Sequence, residues 1–147
     1  SWYVIGRSSL HSEVRTFNLS RIASLETLTE RFTVPQRFSI ERHLRNAWLL
    51  IPGEGADDRV IIRFKPLVAQ NVGEVIWHKT QQLEFQQDGS LLFKAQVTGL
   101  GEIMWWVLGY GDQAEVLEPR ELREMVAKRA RNLATMYNGK ATNGDNS

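Results

Sequence analysis

The stretch from Ile76 to Val97 constrains the fold more than any other part of the chain. Ile76 to Phe85 and Leu91 to Val97 both have the residue types and alternation of strands. Gln87-Asp88-Gly89 lies between them, and an Asp-Gly pair accepts the positive φ that a tight hairpin turn demands. Two strands joined this closely must pair antiparallel, and a lone pair is barely stable in water. More sheet has to come from elsewhere.

It comes from both sides. Arg59 to Phe64 reads as a strand, and Pro66 to Val72 as a short helix with proline in its first turn. After the hairpin, Leu100, Ile103, Val107 and Leu108 mark one helical face, stopped by Gly109 and Gly111. Ala114 to Leu117 is a last short strand. The order strand, helix, strand, strand, helix, strand is the ferredoxin-like βαββαβ arrangement, an α+β fold with helices over one face of an antiparallel sheet. Pro119 then opens a helix with Leu122, Met125, Val126, Leu133, Met136 and Tyr137 down one side, ending at Gly139. Ala141 to Ser147 is a polar tail, expected to be disordered.

Upstream of this unit, Trp2 to Ile5 is rich in strand formers and ends at Gly6. Ser8 to Ser12 is a polar turn, and Glu13 to Leu19 alternates, with Arg15, Phe17 and Leu19 on one face. Ile22, Leu25 and Leu28 suit a weaker strand or a short helical turn. Pro35 marks a boundary, because the residue before proline leans extended. Ser39 is a good N-cap for a helix over Ile40 to Ala47, with Leu44 and Trp48 at helical spacing behind Ile40. Ile51 to Asp58 is a loop by composition. The expected divisions are therefore 1–35, 36–118, a terminal helix over 119–140 and a tail over 141–147.

With 147 residues and 42% hydrophobic content, the chain can bury one good core or two small ones. It has no apolar run long enough to span a bilayer and no secretory leader, so no membrane association is expected. Cysteine is absent, which removes disulfides and thiolate metal sites and fits a reducing cytoplasm. A net charge of +1 is too small for a strongly basic nucleic-acid binder, so any such contact must be a local cluster. Adjacent Trp105 and Trp106 point roughly 100° apart on a helix, so one of them should be exposed or covered by a second subunit.

Nothing looks catalytic. His11, His43 and His78 lack metal-ligand spacing, and Asp57-Asp58 is a turn pair. Gly99-Leu100-Gly101 and Gly109-Tyr110-Gly111 lack a phosphate-loop lysine, and no nucleophile elbow is present. Neither cofactor nor metal is expected, and the chain does not read as an enzyme.

Two stretches resemble one family, the WYL-domain bacterial transcription regulators. Trp2-Tyr3-Val4 followed by Arg15-Thr16-Phe17-Asn18-Leu19-Ser20-Arg21-Ile22 is similar to the second half of a WYL domain, with Val4 in place of the family's leucine. The series from Val60-Ile61-Ile62-Arg63-Phe64, through Val75 to Gln81, Asp88-Gly89-Ser90 and Glu102 to Gly111, to Val116-Leu117-Glu118-Pro119 is similar to the WCX extension that follows it. The resemblance implies that the first segment is part of a small Sm-like (SH3-like) β-barrel, whose other strands and preceding helix-turn-helix are not in this sequence. It further implies a homodimer and an anionic effector, in several family members single-stranded nucleic acid. Arg15, Arg21 and Tyr3 would then form the ligand pocket, because guanidinium pairs with phosphate and stacks on bases. Trp2, of opposite parity to Tyr3, would be core. Ser20 and His11 would add hydrogen bonds. Arg63, on the sheet face away from Ile62 and Phe64, is a further binding candidate, with His78 and Lys79 adding charge from the next strand. The competing expectation is an assembly module that dimerises and binds no ligand, its arginines structural.

Overall fold

The computed structural model describes residues 2–138. The chain forms two compact units, Ser1–Arg45 and Asn46–Ser147.

The first unit is built on an antiparallel hairpin of β1 (Tyr3–Ser8) and β2 (Glu13–Asn18), in register from Tyr3 opposite Asn18 to Ser8 opposite Glu13. Leu19 N–H donates to Trp2 O at 3.0 Å and extends the ladder by one rung. A single 3-10 turn follows over Leu19–Arg21. Beyond it, residues 22–28 take no regular structure, so neither the weak strand nor a helical turn forms there. Their apolar residues, Leu25 among them, are exposed and have no face to pack on. Helix α1 (Ile40–Leu44) starts where expected, with Ser39 Oγ accepting from Arg42 N. It stops short of Ala47 because Arg45 takes a φ of 52° and the chain turns away.

The second unit holds a four-stranded antiparallel sheet made of β3 (Asp58–Phe64), β4 (Gln82–Phe85), β5 (Leu91–Val97) and β6 (Ala114–Glu118), in the order β4-β5-β3-β6. Helices α2 (Pro66–Gly73) and α3 (Gly101–Leu108) provide the two crossovers. This is the ferredoxin-like topology read from the sequence. Helix α4 (Arg120–Asn138) follows and packs on α3 and β6. The expected stop at Gly139 and the tail over 141–147 lie outside the described residues.

The core follows from strand parity. Val60, Ile62 and Phe64 of β3 and Leu91, Phe93, Ala95 and Val97 of β5 are buried, and α2 and α3 supply Val72, Ile103 and Val107. Each large side chain buried here stabilises the unit by roughly 1.5–3 kcal/mol. Trp106 joins this core, its ring 4.6 Å from Trp48, 5.2 Å from Phe93 and 5.3 Å from Phe64. Trp105 points out and is 58% exposed, with the Arg129 guanidinium 4.9 Å above its ring. The two tryptophans thus separate as helical geometry requires.

The hairpin between β4 and β5 closes as the Asp-Gly pair demands. Gly89 has a φ of +81°, and Asp88 Oδ1 accepts from Ser90 N and Oγ at 2.9 and 2.6 Å. Its strand partner is shorter than expected, because residues 76–81 are not strand. Gln81 Oε1 accepts from Trp77 N at 2.6 Å and His78 N at 3.0 Å, while Gln81 Nε2 donates to Val75 O. One side chain takes the backbone groups that a neighbouring strand would have used. His78 is consequently buried, not a surface cation.

His78 helps to fasten a strap, residues 46–53, onto the unit. Trp48 is buried and stacks on His78, with centroids 5.6 Å and planes 6° apart. His78 Nε2 meets Ala47 O at 3.2 Å, and Nδ1 accepts from Thr80 N. Asn46 exchanges backbone and side-chain hydrogen bonds with Thr98, and Asp57 accepts from both. Glu102, in the first turn of α3, accepts from the N–H groups of Leu49, Leu50 and Ile51 at 2.9–3.2 Å. Gly53 crosses Gly99 so closely that a Cβ on Gly53 would sit 2.4 Å from Gly99 Cα.

Candidate functional site

Strand alternation decides where the hairpin's side chains go. Directly opposed residues share a face, so Tyr3, Ile5 and Arg7 lie with Val14, Thr16 and Asn18. Val4, Gly6 and Ser8 lie on the other face with Glu13, Arg15 and Phe17. Tyr3 and Arg15 therefore project from opposite faces. Trp2, expected as core, is 83% exposed, because it sits just outside the ladder with nothing packed over it.

Arg15 shares its face with Phe17 as the pattern predicts, but that face is open and the guanidinium stays in water. It binds Glu13, two residues earlier, through Nε at 2.7 Å and Nη2 at 2.5 Å. Such an exposed pair is worth about 0–1 kcal/mol, so an incoming anion can displace the carboxylate at little cost. Arg21 ends the 3-10 turn, exposed and with no ion pair among the described residues. Ser20 is committed locally. Its N–H and hydroxyl both donate to Asn18 Oδ1, at 3.0 and 2.7 Å, which caps that turn. His11 lies in the strand connection, its Nδ1 at 3.0 Å from Ser8 Oγ. Both side chains shape the hairpin's ends.

Arg7 is a further arginine of the hairpin that its sequence context does not single out. It is exposed on the Tyr3 face and has no ion pair among the described residues. Its parity with Tyr3 and Ile5 was the available signal.

Arg63 belongs to the second unit. It is exposed on the sheet face away from the helices, between Leu92 of β5 and Glu115 of β6. That face carries both signs of charge: Arg63 beside Glu115, Arg59 opposite Gln96, and Lys94 paired with Glu84. Lys94 holds the Glu84 carboxyl below the usual range, by hydrogen bonding first. Asp88 is also lowered, mainly by the Ser90 hydroxyl and N–H, with a smaller contribution from the charge on Arg63. The face thus holds a mixture of charges, with Glu115 paired to Arg123 at 3.6 Å. His78 adds nothing to it, since burial lowers its pKa below 6.5.

No group of three or more acidic, histidine or cysteine side chains among the described residues is placed to hold a metal. No helix among them is long and apolar enough to cross a membrane.

The fold and site together define a ferredoxin-like α+β unit preceded by an arginine-bearing β-hairpin. The WCX domain model matches residues 56–134, more than half of the chain, and the WYL domain model matches residues 1–27. The chain belongs to the WCX-domain family, joined here to WYL-domain sequence. Among solved structures it is similar to Proteasome accessory factor B/C (PafBC) of Arthrobacter aurescens, at 19% sequence identity and a TM-score of 0.46. That similarity covers 99% of this chain and 23% of the other. No curated protein matches the chain.

Proposed function

We propose that this chain is the effector-sensing and dimerisation region of a bacterial, cytoplasmic transcription regulator. The WYL hairpin binds an anionic ligand through Arg15, Arg21 and Tyr3, and single-stranded nucleic acid fits best. The bound state is passed to a helix-turn-helix DNA-binding domain that these residues do not contain. The WCX extension joins two subunits, and the effector acts by binding one arrangement of that dimer better than the other. The role is regulatory and non-enzymatic.

The observation that carries this reading is the exposure of three arginines, Arg7, Arg15 and Arg21, within the WYL match, only Arg15 having an acidic partner among the described residues. Placement on two faces favours an extended, flexible polyanion, since a compact anion reaches one face at a time. Exposed Tyr3 and Phe17 add surfaces on which bases can stack.

The test is fluorescence anisotropy with a labelled single-stranded oligonucleotide across a salt series. If Arg15 and Arg21 each neutralise one phosphate, the log–log salt slope is about −1.4, and affinity drops about sevenfold for a fourfold rise in salt. Arg15→Ala and Arg21→Ala should each flatten that slope by about 0.7. Salt-independent binding, or arginine variants that bind like the wild type, would refute the proposal.

A further inference from the structure

Helix α4 is anchored for only part of its length. Leu122 is fully buried, and Met125 and Val126 pack against the core. From Lys128 to Asn138 every residue is exposed. The same helical face nevertheless continues. Arg129 lies over Trp105, and Leu133, Met136 and Tyr137 follow it at the spacing that keeps them in line, all more than half exposed. Trp105, also exposed, widens this strip from α3. Three turns of helix in which every residue is exposed are marginal in water, so a continuous apolar strip along them is a surface built to be covered.

Charge selects what covers it. From Met125 to Asn138 there is no Asp or Glu, whereas Arg129 stands within the strip and Lys128 beside it, with Arg131 adding to the field from the far side. A second copy of this surface would set cation against cation. Nucleic acid would use the cations but leave Leu133 and Met136 in water. We propose that the free half of α4, with Trp105, docks an acidic amphipathic helix from a partner protein. Leucine-like side chains of the partner pack along Leu133, Met136 and Tyr137, and its carboxylates meet Lys128 and Arg129. This surface is independent of the arginine hairpin, and either proposal can fail alone.

The probe is a labelled synthetic helix-forming peptide with leucine at every third and fourth position and glutamate elsewhere. A peptide with the same leucines and lysine flanks is the control. The glutamate peptide should bind at least about tenfold more tightly. Leu133→Glu and Met136→Glu should each weaken it by about tenfold or more, and the pair Lys128→Glu and Arg129→Glu should reverse the preference between peptides. Leu133 and Met136 lie beyond the packed part of the helix, so unchanged urea unfolding curves show that those variants fold. Four results overturn the proposal. One is equal binding of both peptides, and another is no binding by either. The third is displacement of the peptide by a single-stranded oligonucleotide, which assigns the strip to nucleic acid. The last is a dimer in sedimentation that Met136→Glu dissolves, which makes a second copy the occupant.

Discussion

Substituting alanine at Gly53 tests whether the strap is fixed by backbone contact. The new Cβ would fall 2.4 Å from Gly99 Cα and 2.8 Å from Gly99 N. Ordinary carbon contacts need roughly 3.5–4 Å, and both obstacles are main chain, so the two segments must part by about an ångström. Overpacking of this kind costs about 1–3 kcal/mol. The parting also stretches the 3.2 Å bond from Gly53 N to Thr98 O past its useful range, for about 1 kcal/mol more. The expected loss is about 2–4 kcal/mol. Two other glycines serve as controls. Gly55 has a φ of +89° with open space around its Cβ position, so Gly55→Ala pays backbone strain alone, about 1–2 kcal/mol. Gly101 begins α3 with nothing near its Cβ position, and Gly101→Ala should raise stability by about 0.5 kcal/mol. Urea unfolding followed by tryptophan fluorescence measures all three. If Gly53→Ala proves no more harmful than Gly55→Ala, the close crossing does not hold the strap.

Two further outcomes follow from the core. His78 is held neutral by burial, so its folded pKa lies below 6.5 and the folded state binds fewer protons than the unfolded state. Stability should therefore be full above pH 6.5 and fall as pH drops from there toward the folded pKa; a histidine titration by NMR with a midpoint above 6.5 would contradict this. Trp106→Ala should cost about 3–5 kcal/mol in thermal unfolding, whereas Trp105→Ala should cost at most about 1 kcal/mol, most of it the cation–π contact with Arg129; equal losses would mean that the two rings are wrongly assigned.

What could be read from the sequence was what local chemistry decides. Leu91–Val97 was bounded as found, because alternation, a turn on one side and burial all agree there. The ferredoxin-like order followed from the succession of periods. Residues 76–81 misled because Val75, Ile76 and Trp77 favour strands, while a single glutamine side chain outcompeted a neighbouring strand for their backbone. Trp48 stood at helical spacing from Leu44, yet its place is set by His78 and Trp106, far along the chain. No local signal marks partners so distant. Glu102 was equally invisible, since a carboxylate at a helix start usually faces water and here holds three amides of another segment. In the hairpin, parity correctly grouped Arg15 with Phe17 but could not reveal that the shared face is open.

The strap also has a mechanical consequence. Arg45 and Asn46 are covalent neighbours at the join of the two compact units, so a pull from the first unit arrives at Asn46 before it reaches any strand. Its path divides there: one branch enters Thr98 at the end of β5, and three amides further on it reaches Glu102 and the first turn of α3. A further branch runs through the Asn46 side chain to Asp57, immediately before β3. A tug at Arg45 would therefore be shared between the sheet, at the ends of β3 and β5, and α3 with the tryptophan pair it carries.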